Sequence, residues 1–129
     1  MKKINRLQSF QHAFAGIWYT LRTQRNAQIH VGTGVCIVVL GLLLRIRLTE
    51  WATLALTMGF VIVSEMLNTS IEAAMDHATT EFHPQIKIVK DVAAGAVLVS
   101  AVTAVAVGLL ILGPPLLEWV IIWVSQGRT

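Results

Sequence analysis

The chain has 129 residues, 55% of them hydrophobic and only 13% charged, with a mean hydropathy of +0.68. That balance is the profile of an integral membrane protein and excludes an ordinary soluble domain; one domain spanning 1–129 is the natural count. The net charge is only +3, but Lys2, Lys3, Arg6, Arg22 and Arg25 crowd the first 25 residues, which points to anionic lipid headgroups rather than nucleic acid.

Residues 4–23 carry Ile4, Leu7, Phe10, Phe14, Ile17, Trp18 and Leu21 at helical spacing, flanked by basic residues. This predicts an amphipathic surface helix lying in the membrane plane. Residues 1–28 lack a clean apolar core and a small-residue cleavage site, so no secretory leader is expected. The first predicted span is 29–44, apolar throughout and followed by Arg45 and Arg47; it is slightly short for a bilayer of about 30 Å. The single cysteine, Cys36, lies within it and reads as apolar filler. The second span is 51–76, apolar in its first half and polar along one face in its second. A polar loop containing Pro84 follows over 77–87. The third span is 92–112, rich in Ala and Val, with Gly95 and Gly108 allowing close packing. Gly113-Pro114-Pro115 is expected to break it. Residues 116–124 (LLEWVIIWV) are too short to span and predict a short interfacial helix anchored by Trp119 and Trp123. The basic residues favour the N-terminus and the 77–91 loop on the cytoplasmic side.

The chemistry concentrates in 61–76, VIVSEMLNTSIEAAMD. Glu65, Asn68, Glu72 and Asp76 are spaced by three, four and four, so they fall within roughly 80° of one another on a helix. Burying three carboxylates beside lipid costs several kcal/mol unless they are paired or hold a cation, on the order of a few per charge. A metal-dependent reaction at the membrane surface explains such a stripe economically. Glu65, deepest among apolar neighbours, suits a general base acting on a lipid hydroxyl. Glu72, nearer the surface, suits Mg²⁺ together with phosphate oxygens. Asp76 sits where a nucleotide would arrive. Lys90 can neutralise phosphate charge, and Asp91 can coordinate or orient. The alternatives are structural pairing for Glu65 and Glu72, a helix–helix hydrogen bond for Asn68, and helix-end solvation for Asp76 and Asp91. His12, His30, His77 and His83 lack the spacing of a metal pair, and the chain contains no Gly-rich phosphate loop.

Residues 65–72 (EMLNTSIE) with Asp76 resemble the signature of the prokaryotic diacylglycerol kinases and undecaprenol kinases. The segment 90–98 (KDVAAGAVL) resembles the second motif of that family, and 14–16 (FAG) with 25–30 (RNAQIH) resemble its N-terminal region. The resemblance runs from about residue 5 to 112, and the KIVKD and N…IH forms look closer to the Gram-positive type. It implies an all-α homotrimer in the bacterial plasma membrane. Each subunit would have a surface helix and three transmembrane helices, and active sites would be shared at the cytoplasmic interface. Carried over residue by residue, Glu65 is the catalytic base and Glu72 a Mg²⁺ ligand. Asn68, Asp76, Lys90 and Asp91 line the nucleotide site, Glu81 and His83 contact the nucleotide, and His12 belongs to the same group. At the position of a second metal-ligating glutamate this chain has Gln24, a poorer ligand for Mg²⁺, and position 28 is Gln where relatives often carry Arg. The expected activity is ATP- and Mg²⁺-dependent phosphorylation of a lipid alcohol, undecaprenol favoured over diacylglycerol. The rivals are a non-catalytic trimer that binds a cation or lipid at a degenerate site, and an ion or proton pathway.

Overall fold

The computed structural model describes residues 5–79 and 81–126. Among them four helices follow one another: α1 (Arg6–Thr23), α2 (Arg25–Leu44), α3 (Leu48–Ala78) and α4 (Pro84–Gln126). The last three are each long and apolar enough to cross a membrane. Ile4, Lys2 and Lys3 of the expected basic, amphipathic segment lie outside the described residues. Along α1 the side chains of Leu7, Phe10, Phe14 and Trp18 are exposed, so this apolar stripe is not consumed by the chain's own core.

The chain turns from α1 into α2 on one residue. Gln24 is extended (φ −99°, ψ 114°) and ends the first helix, its N–H donating to the Thr20 carbonyl at 2.9 Å. The side-chain amide of Gln28 then donates to the Leu21 and Arg22 carbonyls, at 3.1 and 3.3 Å. Those are carbonyls that the last turn of α1 cannot satisfy by itself. Gln28 therefore caps one helix from within the next.

At the other end of α2, Arg45 adopts the left-handed conformation (φ 52°). Its N–H donates to Leu42, and the Ile46 N–H reaches back to the Gly41 carbonyl at 3.2 Å. This is the Schellman arrangement, and it swings Ile46 back over Gly41. The Trp51 ring lies on the same spot, so a Cβ at residue 41 would sit 2.8 Å from that ring. Glycine here permits the close approach of α2 to the start of α3. The first turn of α3 is tied down by Glu50, whose carboxylate accepts from both the backbone N–H and the guanidinium of Arg47, at 2.7 and 2.9 Å.

α3 and α4 form the principal pair, joined by a connection confined to 79–83. α4 contributes Ala93, Val97 and Ser100 to the buried face, spaced by four and three, and α3 contributes Leu54, Val61, Ser64, Glu65, Asn68 and Thr69. Small side chains let two helices approach closely where lipid offers no hydrophobic drive between them. The start of α4 is fixed by Pro84 at its first position, where no N–H is needed, and by His83, whose Nδ1 accepts the Gln85 N–H at 3.3 Å.

Two sequence expectations need correction. The polar loop is shorter than 77–87, because Lys87 and Lys90 lie inside the first turns of α4. Gly113-Pro114-Pro115 does not break the helix: α4 continues through both prolines to Gln126, and no separate 116–124 element exists. The two prolines deprive only the Leu110 and Ile111 carbonyls of donors. In apolar surroundings a true break would orphan more backbone groups, which is why prolines are tolerated in membrane helices better than in soluble ones. Replacing Gly41→Ala should destabilise the α2–α3 turn by about 1–3 kcal/mol through overpacking against Trp51. A lowered thermal midpoint in detergent checks this, and an unchanged one would mean the Trp51 ring yields freely.

Candidate active site

The stripe on α3 grades from buried to exposed. Glu65 retains 1% of its surface and Asn68 9%. Glu72 is half-buried and Asp76 is exposed. The Asn68 side-chain amide donates to the Glu72 carboxylate at 3.1 Å. Among the described residues, Oε2 of Glu65 and Oδ1 of Asn68 are buried and have no hydrogen-bond partner. Buried oxygens in that state cost free energy, and two of them one turn apart mark an unfinished polar site. The groups that bear electrostatically on Glu65 are His30 of α2 and Glu72.

At the end of the α3–α4 pair lies an open cleft of about 630 Å³, lined by Asp76, Thr79, Glu81, Phe82, His83, Ile86, Lys87, Lys90 and Asp91. Five of the residues singled out from sequence meet here: Asp76, Glu81, His83, Lys90 and Asp91. Lys90 pairs with Asp76 across the two helices, and Lys87 pairs with Asp91 one turn along α4. Both lysines are thereby engaged by carboxylates, while Phe82 and Ile86 give the cleft an apolar wall. Glu65, Asn68, Glu72, Gln24 and His12 are not among the lining residues. Glu65, Asn68 and Glu72 sit deeper along α3. Gln24 occupies the α1–α2 turn, with its side chain toward the Thr23 hydroxyl at 3.4 Å. His12 is exposed on α1.

Among the described residues, no three His, Cys, Asp or Glu side chains gather as a metal site. The donors that the stripe does offer, Glu72 and the free oxygens of Glu65 and Asn68, are all oxygen. That suits a hard cation such as Mg²⁺, which keeps several waters and takes only one or two carboxylates besides phosphate oxygens. Sequence reasoning missed Thr79, Phe82, Ile86 and Lys87 as cleft residues and His30 as the neighbour of Glu65. The spacing of four between Lys87 and Asp91 was the one available signal, since it predicts a helical ion pair.

Comparison with known proteins supplies the class. Residues 11–112 match the family model described as prokaryotic diacylglycerol kinase, and the chain belongs to that family of membrane lipid kinases. It is 45% identical over 115 residues to a diacylglycerol kinase of Synechocystis sp., covering 88% of this chain and 66% of the relative. It is 43% identical over 115 residues to an undecaprenol kinase of Bacillus subtilis, covering 88% of this chain and 94% of the relative. A diacylglycerol kinase of Helicobacter pylori is 42% identical over 67 residues, 52% of each chain. The chain thus spans just under two thirds of the cyanobacterial relative and nearly all of the Bacillus one.

Proposed function

We propose that the chain, acting as a single membrane domain over 1–129, transfers the γ-phosphoryl group of ATP to the hydroxyl of a membrane lipid. The observation that carries the reading is the depth order of the stripe. A buried carboxylate with one unpartnered oxygen lies on α3, and the same helix face runs out to a charged cleft of nucleotide size. The lipid hydroxyl oxygen attacks the γ-phosphorus, its proton passes to Glu65, and the bond to the leaving ADP breaks. Lys90, exchanging Asp76 for phosphate oxygens, offsets charge on the transferring group. Glu81 and His83 lie at the rim, where the nucleoside end would rest. Mg²⁺, held by Glu72 with Asn68 beside it, would supply charge neutralisation on the phosphates.

A homotrimer accords with this reading, because the described residues of one chain do not gather a full metal set and Gln24 and His12 stand apart from the cleft. The exposed apolar face of α1 accords with a helix in the membrane plane. Lys87, Lys90 and the basic N-terminal residues accord with a cytoplasmic cleft in the bacterial plasma membrane. Undecaprenol is favoured over diacylglycerol for a local reason. Ser64, Thr69 and Ser70, the hydroxyl donors nearest the stripe, all donate to carbonyls of their own helix, at 2.8–2.9 Å. They leave little for ester carbonyls, and a buried carbonyl without a donor is penalised.

Three outcomes test these assignments. Glu65→Gln should lower turnover by about 10²-fold or more while a fluorescent ATP analogue still binds; near-normal turnover removes Glu65 as the base. Gln24→Glu should lower the Mg²⁺ concentration for half-maximal activity, and an unchanged or weaker dependence places residue 24 away from the metal. In side-by-side assays in one detergent, kcat/KM should be higher for undecaprenol; a higher value for diacylglycerol reverses the substrate order and leaves the kinase reading intact.

A further inference from the structure

Lys87 lines the cleft, yet neither the α3 stripe nor the Lys90-Asp91 pair accounts for it. α4 opens at Pro84, so Lys87 closes its first turn, and no acidic residue stands in that turn. The N-terminal end of a helix disfavours a cation. Lys87 bonds Asp91 four residues on, with the base N-terminal to the acid, the weaker order for a helical pair. Both side chains keep 60% of their surface exposed, and so wet an ion pair contributes little to stability. Helix stability would favour an acid at residue 87. A residue that breaks such a rule with no gain in stability points to function.

The cleft supplies the reason. Lys87 and Lys90 are the two lysines in its lining, and they share it with Asp76, Glu81 and Asp91. Three carboxylates thus outnumber two ammonium groups. Were Lys87 to stay on Asp91, Lys90 alone would answer both the phosphates and the acids around them. Position along α4 then gives the two lysines different tasks. Lys87 comes four residues after His83 at the rim, about 6 Å along the axis, and about 4.5 Å before Lys90. The two lysines project within roughly 60° of each other around that axis. Lys90 is the less exposed, at 34%, and is joined to Asp76 of the stripe. Lys87 therefore stands between the rim and the lysine nearest the stripe.

We propose that Lys87 is a second phosphate-binding residue. When a nucleotide enters, its ammonium group leaves Asp91 and takes the phosphates nearer the nucleoside, and Lys90 takes the γ-phosphoryl group. The proposal rests on the kinase reading of the cleft. It adds a division of labour: Lys87 serves binding of ATP and ADP alike, and Lys90 serves transfer.

The test uses the full-length protein in detergent without lipid, so that no transfer occurs. A fluorescent ATP analogue is bound with Mg²⁺ present and displaced by ATP, ADP or adenosine. Lys87→Gln should weaken ATP and ADP equally, by about tenfold for one lost charge-assisted hydrogen bond, and leave adenosine unchanged. Its thermal midpoint should hold, since the pair it breaks is exposed. Lys87→Arg should recover most of the affinity, because a guanidinium also binds phosphate. With lipid added, Lys87→Gln should raise KM for ATP and leave kcat in place. Four results overturn the proposal: ADP affinity equal to that of the parent chain, which makes Lys87 a surface ion pair only; a fall in kcat with nucleotide affinity intact, which makes it a positioning residue for Asp91; parallel losses for ADP and adenosine; or a loss of affinity accompanied by a lowered midpoint, which makes the pair a support of α4. A parent chain that binds no nucleotide overturns this proposal and the kinase reading together. A parent chain that binds ADP through Lys87 yet phosphorylates no lipid overturns the kinase reading and supports the phosphate contact.

Discussion

Glu65 lies on a membrane helix with 1% of its surface exposed, and one of its carboxylate oxygens meets no donor. A soluble protein would rarely retain such a group, and in lipid the penalty is larger. The packing around it makes the burial possible. Ser64, Thr69 and Ser100 are small, buried residues of α3 and α4, and each returns its own hydroxyl to a carbonyl of its own helix. Those hydroxyls are thus committed elsewhere, and Oε2 of Glu65 stays without a partner among the described residues, the feature on which its proposed role as a base rests.

The rest of the site follows from extending that helix face outward. Asn68 bonds Glu72, linking the deep and shallow halves of the stripe. Asp76 bonds Lys90, linking the stripe to α4. Lys87 holds Asp91, so two of the three acidic residues that line the cleft, Asp76 and Asp91, are each paired with a lysine. In the proposed reaction a polyphosphate would draw the lysines away from carboxylates that the solvent can then hydrate, since both pairs are substantially exposed and individually weak. The turn residues serve this arrangement as well. His83 starts α4 by accepting the Gln85 N–H, which brings Lys87 and Lys90 to the cleft in the first turns of that helix.

Much of this was legible in the sequence because it depends on helical period alone. Spacings of three and four put Glu65, Asn68, Glu72 and Asp76 on one face, and the apolar runs located three spanning helices. What remained hidden depends on helices meeting. His30 of α2 bears electrostatically on Glu65, a tertiary relation without local signal. Gln28 reads as a lost arginine, yet its amide caps the carbonyls of α1, a role that exists only once the chain bends at Gln24. The continuity of α4 through Pro114 and Pro115 was misjudged because proline ordinarily disrupts a helix through its missing N–H and its ring clash, whereas in apolar surroundings a true break would orphan more backbone groups than the two prolines do.

In the proposed reaction a phosphoryl group moves from a nucleotide in the Asp76–Lys90 cleft to a lipid oxygen beside Glu65. The most direct measurement incubates the purified protein with undecaprenol and ATP radiolabelled on its γ-phosphorus, then separates lipid, nucleotide and inorganic phosphate. Label in a lipid phosphate is the expected result. Label that stays in ATP, or that appears only as inorganic phosphate, with diacylglycerol as well as with undecaprenol, would contradict transfer to a lipid.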